Sequence, residues 1–441
     1  MFALTLFLLI ASLGDAIPPT KRAPKEPPLV QVSKGLSVAG ISTSNRTIEV
    51  YNFTEISNVY GKEFAQHLLS LVGQHESQDA FTPVADWNRS ENTPYGQFEL
   101  GSRIASSRQS VIYEIVGKPH LVIKYQVNCI QLDSTNYVHP LLVDYIFGER
   151  AAKAGVGPRM YYISPPSKLC LSQEGKCGFK LDSRDFNNCV SRDGASLRYM
   201  IMERMRGDSL VGLKGRFRNG IVPFYTSILI GYSMIANLER LHKVGKMVHG
   251  DVHSGNIILE HLDERNLTIS LKFIDYGRSF ANVESVNETV RKYGWTYSPL
   301  LSEWELEGYA TAPRDDIIQA LQVMVRLMMP WSFIETEKFI AKTRLSEILR
   351  WKRSEYWFVE PRLIGAERSG YDPVGAMRMG EIDKSQIRQY LQFLLRKVRA
   401  MGSSVNSIPP YAELLQGLHA THALVRRSIE TYSQNNSTTS L

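Results

Sequence analysis

The stretch MVHGDVHSGNIIL at residues 247–259 brings two imidazoles, a carboxylate and a carboxamide together between apolar, strand-like segments. Asp251 lies between His249 and His253, and Asn256 follows Asp251 closely in the chain. Such a set of side chains is compatible with a metal site or with a loop for phosphoryl transfer. The rest of the chain has to decide between these two hypotheses.

A second stretch, residues 271–277, ends a short apolar segment with Asp275, an aromatic residue and a glycine. Residues 262–266 between the two stretches are polar and predict a turn. Two strands joined by this turn would bring Asp251, Asn256 and Asp275 together. One carboxylate could then accept the proton of a hydroxyl, while the carboxamide and the second carboxylate hold Mg²⁺. The spacing therefore favours phosphoryl transfer.

Strands dominate the first part of the chain and helices dominate the second, which predicts an α+β fold with two lobes. We predict strands at 98–100, 111–115, 121–125 and 198–203, and helices at 63–72, 140–155, 224–244, 314–329 and 384–401. Lys124 ends a Val-Ile-Lys strand that follows a hairpin and precedes a helix with acidic residues. A lysine in a strand is usually solvated, but this placement favours contact with phosphates.

In order, these motifs resemble those of a eukaryotic-type protein kinase, and they are most similar to the casein kinase 1 and vaccinia-related kinase group. Residues 200–210 resemble the hinge of that group, and 248–251 and 274–277 resemble its vaccinia-related pattern. Residues 314–317 resemble the Arg-Asp-Asp that opens a core helix, while 387–391 with 409–411 resemble its last helices. The resemblance covers residues 98–418. It implies a bilobal kinase fold, with an N-lobe at 96–205 and a C-lobe at 206–420, that uses ATP and Mg²⁺ or Mn²⁺.

The resemblance also implies a role for each matching residue. Asp251 would be the catalytic base, and Asn256 and Asp275 would bind the metal ion. Lys124 would contact the phosphates of ATP.

Other matching residues would support the site. Glu203 and Met205 would offer backbone groups to adenine, and Met202 would be the gatekeeper. Asp316 would brace the catalytic loop from below. His249 would pack in the core, which makes a metal-dependent hydrolase built on the two histidines an unfavoured hypothesis.

The glycine-rich turn of the family is altered in this chain. Small residues, Ala105, Ser107 and Ser110, stand where the resemblance expects three glycines. Their Cβ atoms restrict the turn, so the affinity for ATP is in question. Arg108 or a serine hydroxyl could compensate.

Two acids compete for the role of partner to Lys124. Alignment through Pro140 and Gly155 favours Asp144, which is shorter than the usual glutamate, and Glu149 is the rival. Five residues apart on a helix, the two point about 140° away from each other, so only one can face the lysine.

Two further departures lie in the catalytic loop. His253 stands where a serine/threonine kinase has lysine, and kinases of small molecules often carry His-Gly-Asp-x-His-x-x-Asn here. We therefore expect His253 to contact phosphate. Gly250 replaces the usual arginine, which removes the partner of a phosphorylated activation loop and predicts activity without that modification.

The first residues predict a secretory route. Residues 1–16 resemble a cleavable signal peptide, and 17–30 form a linker rich in proline and basic residues. Glycosylation sequons start at Asn45, Asn52, Asn88, Asn266, Asn287, Asn435 and Asn436. The four cysteines, Cys129, Cys170, Cys177 and Cys189, allow three disulfide connectivities, of which we favour 170–177 with 129–189. We expect the mature protein in the secretory lumen or outside the cell, without a stable membrane span.

The remaining segments are less informative. Residues 31–95 form an amino-terminal extension of unknown role, and 421–441 a carboxy-terminal tail that we expect to be disordered from 433 onward. The chain has 441 residues, 43% of them hydrophobic, and a net charge of +7. No basic run is long enough to indicate a nucleic-acid arm, so we expect anionic partners such as nucleotides.

Three functions stay open at this point. The first is a secretory-pathway protein kinase that phosphorylates protein hydroxyls. The second is a pseudokinase that acts as a binding or scaffold module, and the third is a kinase of small molecules or sugars.

Overall fold

The computed structural model describes residues 53–77, 90–93, 96–107, 109–128, 138–164, 196–217, 220–263, 268–281, 313–328 and 408–438, with the separate positions 184, 384–387, 389 and 397. All of them belong to one compact unit, Thr43–Leu441. The signal peptide, the linker, the four cysteines, Arg108, five of the sequons and most of the predicted helix at 384–401 lie outside the described residues. The predictions made for them stay predictions.

A six-stranded antiparallel sheet forms the first lobe, and each predicted strand lies within one of its members. The strands are β1 (Ser90–Thr93), β2 (Gly96–Ser106), β3 (Ser110–Ile115), β4 (Leu121–Asn128), β5 (Met160–Ile163) and β6 (Ser196–Glu203), in the order β1-β2-β3-β4-β6-β5. Val111, Tyr113 and Ile115 alternate with half-buried neighbours along β3, because successive side chains of a strand point to opposite faces.

Two helices of the amino-terminal extension pack into this lobe. They are α1 (Phe53–Tyr60) and α2 (Lys62–Ser77), so the helix predicted at 63–72 is confirmed and is longer than expected. Phe64 and Leu68 of α2 are fully buried in the core shared by both lobes. The boundary predicted after residue 95 separates paired strands β1 and β2, so this segment is an integral part of the fold rather than an appendage.

Helix α3 (Pro140–Lys153) crosses behind the sheet and is buried on most of its faces. Pro140 occupies the first turn, where its missing N–H is not needed, and the His139 Nδ1 accepts a hydrogen bond from the Leu141 N–H at 3.1 Å. Gly155, with φ +73°, follows the end of the helix in the left-handed region. These signals place α3 where the sequence predicts it.

The second lobe is mainly helical. It contains α4 (Leu210–Gly215), α5 (Phe224–Lys243), α6 (Pro313–Leu327) and α7 (Tyr411–Thr438), and α5 packs against both α6 and α7. Short strands β7 (Asp208–Ser209), β8 (Met247–Val248), β9 (Ile257–Asp263), β10 (Thr268–Phe273) and β11 (Phe280–Ala281) form the sheets β10-β9-β7 and β11-β8. Strands β9 and β10 pair antiparallel, as expected of two strands joined by a turn, but residues 264–266 of the turn predicted at 262–266 lie outside the described residues.

The carboxy-terminal segment differs from its prediction. Helix α7 continues without a break across the boundary predicted at 420 and ends at Thr438, so disorder from 433 onward is wrong. Leu414, Leu418 and Val425 lie on one face of α7 and are fully buried, and this amphipathic packing extends the helix. In the described part of the chain, no helix has the length and apolar character needed to cross a membrane.

Candidate active site

Lys124 lies at the centre of a buried ion-pair network between the two lobes. Its Nζ atom is 2.7 Å from Asp144 Oδ2 on α3 and 3.0 Å from Asp275 Oδ1, which follows β10. The Tyr276 N–H donates to the other oxygen of Asp144 at 2.7 Å. Asp144 is therefore the acid that pairs with Lys124, as alignment favours, whereas Glu149 lies 3.3 Å from His67 Nε2.

The protonation of this network follows from its charges. Burial alone would lower the pKa of Lys124, but the carboxylates of Asp144 and Asp275 outweigh burial and raise that pKa. At Asp275 the Lys124 ammonium outweighs the partial desolvation of the carboxylate and holds the pKa of Asp275 below its usual value. Lys124 is thus a cation and Asp275 an anion at neutral pH.

The backbone at Asp275 is held in an unusual conformation. Its φ is +65°, in the left-handed region that non-glycine residues rarely adopt. Such strain persists only where the surroundings enforce it, and here the Tyr276 N–H bond to Asp144 does so. The result is a carboxylate that bonds Lys124 and is 46% exposed, facing the space between the lobes.

The catalytic loop at 249–256 is anchored from below by a buried carboxylate. Asp316, fully buried at the start of α6, accepts hydrogen bonds from the His249 N–H at 2.7 Å and the Gly250 N–H at 2.9 Å. Gln319 Oε1 accepts a third, from the Val252 N–H at 2.8 Å. The role expected of Asp316 as a brace is therefore observed.

Gly250 has a physical reason to replace the expected arginine. Its φ is +77°, and a Cβ atom there would lie 2.5 Å from the backbone oxygen of Arg278. Any side chain at this position would strain the backbone and would clash sterically with the segment that follows Asp275. The loop geometry therefore requires glycine, in addition to any change in regulation that the missing arginine brings.

His249 packs in the core, as expected. Its ring is fully buried against Phe273 and Tyr276. The Nδ1 atom accepts the Asp251 N–H at 3.3 Å, and Nε2 lies 3.2 Å from the carbonyl oxygen of Ile274, to which it can donate. Both nitrogens are thus engaged, and no cluster of three His, Cys, Asp or Glu side chains suited to a metal ion occurs among the described residues.

Asp251 and its neighbours face the opening between the lobes. Asn256 Nδ2 donates to the Asp251 carbonyl at 3.0 Å, which joins the two ends of the loop. Asp251 Oδ2 lies 3.9 Å from His253 Nε2 and 3.7 Å from Arg278 Nε. Burial lowers the pKa of His253 despite the nearby carboxylates, and its Nδ1 accepts the Gly255 N–H at 3.0 Å. A neutral His253 therefore carries its proton on Nε2, beside Asp251.

The donors suit a magnesium ion held jointly with phosphates. Asn256 uses its amide N–H on the backbone, so its Oδ1 remains an oxygen donor. Asp275 uses one oxygen on Lys124 and is partly exposed. Mg²⁺ is typically bound by one or two protein oxygens together with phosphates and water, so Asn256 and Asp275 fit that role.

The turn between β2 and β3 is closed on itself. The Ser107 Oγ accepts hydrogen bonds from the Ser110 N–H at 3.0 Å and the Gln109 N–H at 3.3 Å, and it lies 2.9 Å from the Ser110 Oγ. Ala105, Ser107 and Ser110 are not among the described non-glycine residues with positive φ. This conformation needs no glycine, but the Ser107 hydroxyl occupies the amides that would otherwise be open to phosphate.

The hinge segment connects the lobes after β6. The Glu203 N–H donates to the Arg159 carbonyl at 2.8 Å, and Glu203 Oε2 accepts the Arg159 N–H at 3.0 Å. Met202 is buried at the end of β6, and Met205 is half-buried in the irregular segment beyond it. The positions expected for the gatekeeper and for adenine contacts therefore lie together in the segment where β6 ends.

The sequence analysis gave no role to His242, Arg278 or Gln319, nor to Tyr411 as a partner of the site. His242 on α5 bonds Asp316 through Nε2 at 2.8 Å and the Tyr411 hydroxyl through Nδ1, which ties α7 to the catalytic loop. Arg278 lies beside Asp251, and Gln319 bonds the Val252 N–H. Their partners are remote in sequence or lie across a loop, so no local spacing signals them.

Comparison with known proteins agrees with this geometry. No protein-family model matches the chain. Curated relatives are the B1 kinases of Vaccinia virus, strains Ankara and Western Reserve, and of Monkeypox virus, each 26% identical over 152 residues. The match covers 32% of this chain and 47% of each relative, so the chain spans about half the length of the curated relatives it matches.

Two solved structures cover more of the chain than the curated relatives do. The BubR1 kinase domain superposes with a TM-score of 0.50 at 11% identity, over 87% of this chain and 98% of that one. Vaccinia related kinase 3 superposes with a TM-score of 0.48 at 16% identity, over 82% and 96%. The chain therefore has the bilobal α+β fold of the protein-kinase-like superfamily, and its sequence is related to that of the poxvirus B1 kinases.

Proposed function

We propose that the chain is an ATP-dependent protein kinase that transfers the γ-phosphate to Ser/Thr or other hydroxyls of secretory-pathway or extracellular proteins. The observation that supports it most is the bond of Lys124 to both Asp144 and Asp275. This pairing spans the two lobes and sets a cation beside the carboxylate suited to Mg²⁺.

Each polar group of the site then has one task. The Lys124 ammonium binds phosphate oxygens, while Asp144 holds it in place. Asn256 and Asp275 would hold Mg²⁺ or Mn²⁺, which would neutralise charge on the phosphates. Asp251 accepts the proton of the attacking hydroxyl, and the proton on His253 Nε2 is placed to bond a phosphate oxygen.

The decisive experiment measures phosphate transfer. The secreted protein without residues 1–16 is incubated with labelled ATP, Mg²⁺ or Mn²⁺ and a mixture of secretory-pathway proteins, beside an Asp251→Asn control. Label on protein that disappears in the control supports the proposal. Equal labelling by both proteins, or none by either, contradicts it.

Two alternatives rest on specific observations. The self-bonded turn at Ser107 favours a binding module that transfers no phosphate. His253 favours a kinase of small molecules. Nucleotide that raises the melting temperature without transfer to protein supports one of these, and a screen of small hydroxylated acceptors then separates them.

The proposed location rests on the sequence of residues 1–16. Expression in a secreting eukaryotic cell should place the protein in the medium with its amino terminus near Ile17, and an endoglycosidase should reduce its mass. Retention of the protein inside the cell with Met1 intact would contradict the proposed route.

A further inference from the structure

Helix α2 packs against α3 through a cluster of aromatic rings. Phe64 stacks on Phe147 of α3 with ring centroids 5.0 Å apart and planes 22° apart. Tyr60 of α1 stacks on Phe64 at 4.6 Å and lies 6.4 Å from Phe147, so the three rings form one cluster. Phe64 and Phe147 are fully buried. Aromatic rings of this size contribute strongly to packing, so removal of the Phe64 ring would leave α3 without support on this side.

Polar contacts at the edge of the cluster set the position of α3 along α2. His67 Nε2 lies 3.3 Å from Glu149 Oε2, and Glu63 lies 3.7 Å from Arg150. Burial lowers the pKa of His67 in spite of the nearby Glu149 carboxylate. Glu149, the alternative partner that the sequence offered for Lys124, thus contacts the amino-terminal helices instead.

The polar contacts lie well away from Asp144 around α3, whereas Phe147 is about 60° around the helix from Asp144. Glu149 is about 140° around the helix from Asp144, by the rotation of an α-helix. Helix α1 also contacts β11, the strand that follows the Asp275 segment. The amino-terminal helices therefore contact both the helix that carries Asp144 and the strand that follows Asp275, which are the two acids that bond Lys124.

We propose that residues 53–77 are an intramolecular brace that holds α3 in the position where Asp144 bonds Lys124, with Phe64 and His67 as positioning residues. The kinetic consequence rests on the proposed kinase function, but the position of α3 does not. The contacts of the brace with α3 keep Asp144 bonded to Lys124, so the site is assembled without a partner protein.

Hydrogen exchange of the α3 amides tests the brace in the full secreted protein. The variants are Phe64→Ala, Phe64→Leu and Glu149→Lys, and Gln66→Ala on the exposed face of α2 is the matched control. Phe64→Ala and Glu149→Lys should raise exchange in α3 and β11 about tenfold, while α5 and α7 keep their protection. Phe64→Leu should recover most of that protection, and Gln66→Ala should match the wild type.

A double variant with opposite charges at positions 67 and 149 distinguishes loss of the brace from a general failure to fold. Glu149→Lys places a cation against His67 and close to Lys153 and Arg150, which also influence the pKa of His67. The double variant His67→Glu with Glu149→Lys should restore protection of α3. Exchange in α3 that is unchanged in Phe64→Ala and Glu149→Lys, or that rises equally in α5 and α7, overturns the brace.

Phosphate transfer supplies the kinetic arm of the test. A displaced α3 should lower kcat about tenfold, with restoration by Phe64→Leu and by the double variant. If the wild type transfers no phosphate, the kinase proposal fails, and α3 exchange alone still decides whether the brace exists.

Discussion

The catalytic loop and the turn between β2 and β3 flank the same site, yet they are built differently. Asp316 and Gln319 anchor the loop from a buried helix, and its polar groups match the requirements of phosphoryl transfer. The turn is exposed, lacks glycine, and bonds its own amides through Ser107. The loop therefore presents polar groups suited to phosphoryl transfer, whereas the amides of the turn are already occupied.

Removal of the Lys124 charge should have the largest effect. Lys124→Met leaves Asp144, which is 1% exposed, as an unpaired buried acid, and loss of one partner of a buried pair costs about 3–5 kcal/mol. Phosphate transfer should fall on the order of 100-fold, as for loss of one preorganised donor. Denaturant unfolding and the labelled-ATP assay measure the two effects.

The double variant Lys124→Met with Asp144→Leu controls for the unpaired acid. It should recover most of the stability but none of the activity. A single variant as stable as the wild type would show that the buried pair does not stabilise the fold.

Loss of the anchor below the catalytic loop should have the next largest effect. Asp316→Ala leaves the His249 and Gly250 amides without their buried acceptor, at about 1–3 kcal/mol for each unsatisfied group. The free energy of unfolding in urea measures the loss. Asp316→Asn, which keeps one acceptor oxygen, should lose less, and equal losses in the two variants would contradict the anchor.

Gly250→Ala should have an intermediate effect. The added Cβ meets the Arg278 backbone oxygen at 2.5 Å in a left-handed conformation, and such strain costs on the order of 1–3 kcal/mol. Thermal unfolding should show the loss. Gly215→Ala, on a helix where an added Cβ meets no atom within 4 Å, is the matched control. If Gly250→Ala and Gly215→Ala had the same melting temperature, position 250 would not require glycine for stability.

Ser107→Gly tests whether the Ser107 hydroxyl keeps the amides of the turn from contacting the nucleotide. It frees the Gln109 and Ser110 amides, and one hydrogen bond to phosphate is worth roughly 1 kcal/mol, which is about a fivefold gain in nucleotide affinity. Isothermal titration with ATP and Mg²⁺ measures the gain, and Ser106→Gly outside this bond network is the control. Unchanged affinity in Ser107→Gly would mean that these amides do not contact the nucleotide.

The pH dependence of His253 should be the smallest effect. Its pKa is lowered in the folded state, so the unfolded chain binds the proton more readily as the pH falls below the ordinary value of 6.5. This contribution to stability is therefore present above pH 6.5 and lost below it. Lowering the pH from 7.5 to 5.5 should reduce the melting temperature of the wild type more than that of His253→Asn. Equal reductions in the two proteins would contradict the lowered pKa of His253.

Much of the fold follows from local pattern. Strand alternation in β3, the proline at the start of α3 and the apolar spacing of α5 and α6 predict their elements within a few residues. Disorder at the end of α7 was wrong because polar composition after residue 432 gave no sign of the helix that continues from a buried face.

The sequence by itself determined which side chains the candidate site contains. It supplied the order of Lys124, Asp251, Asn256 and Asp275, and the helical rotation that separates Asp144 from Glu149. Only the tertiary structure decided what supports that chemistry. His242 and Tyr411 are 169 residues apart, and Glu149 meets His67 of a segment to which the sequence assigned no role. Local spacing reports periodicity along one element, whereas these partners are chosen by the packing of distant elements into a shared core.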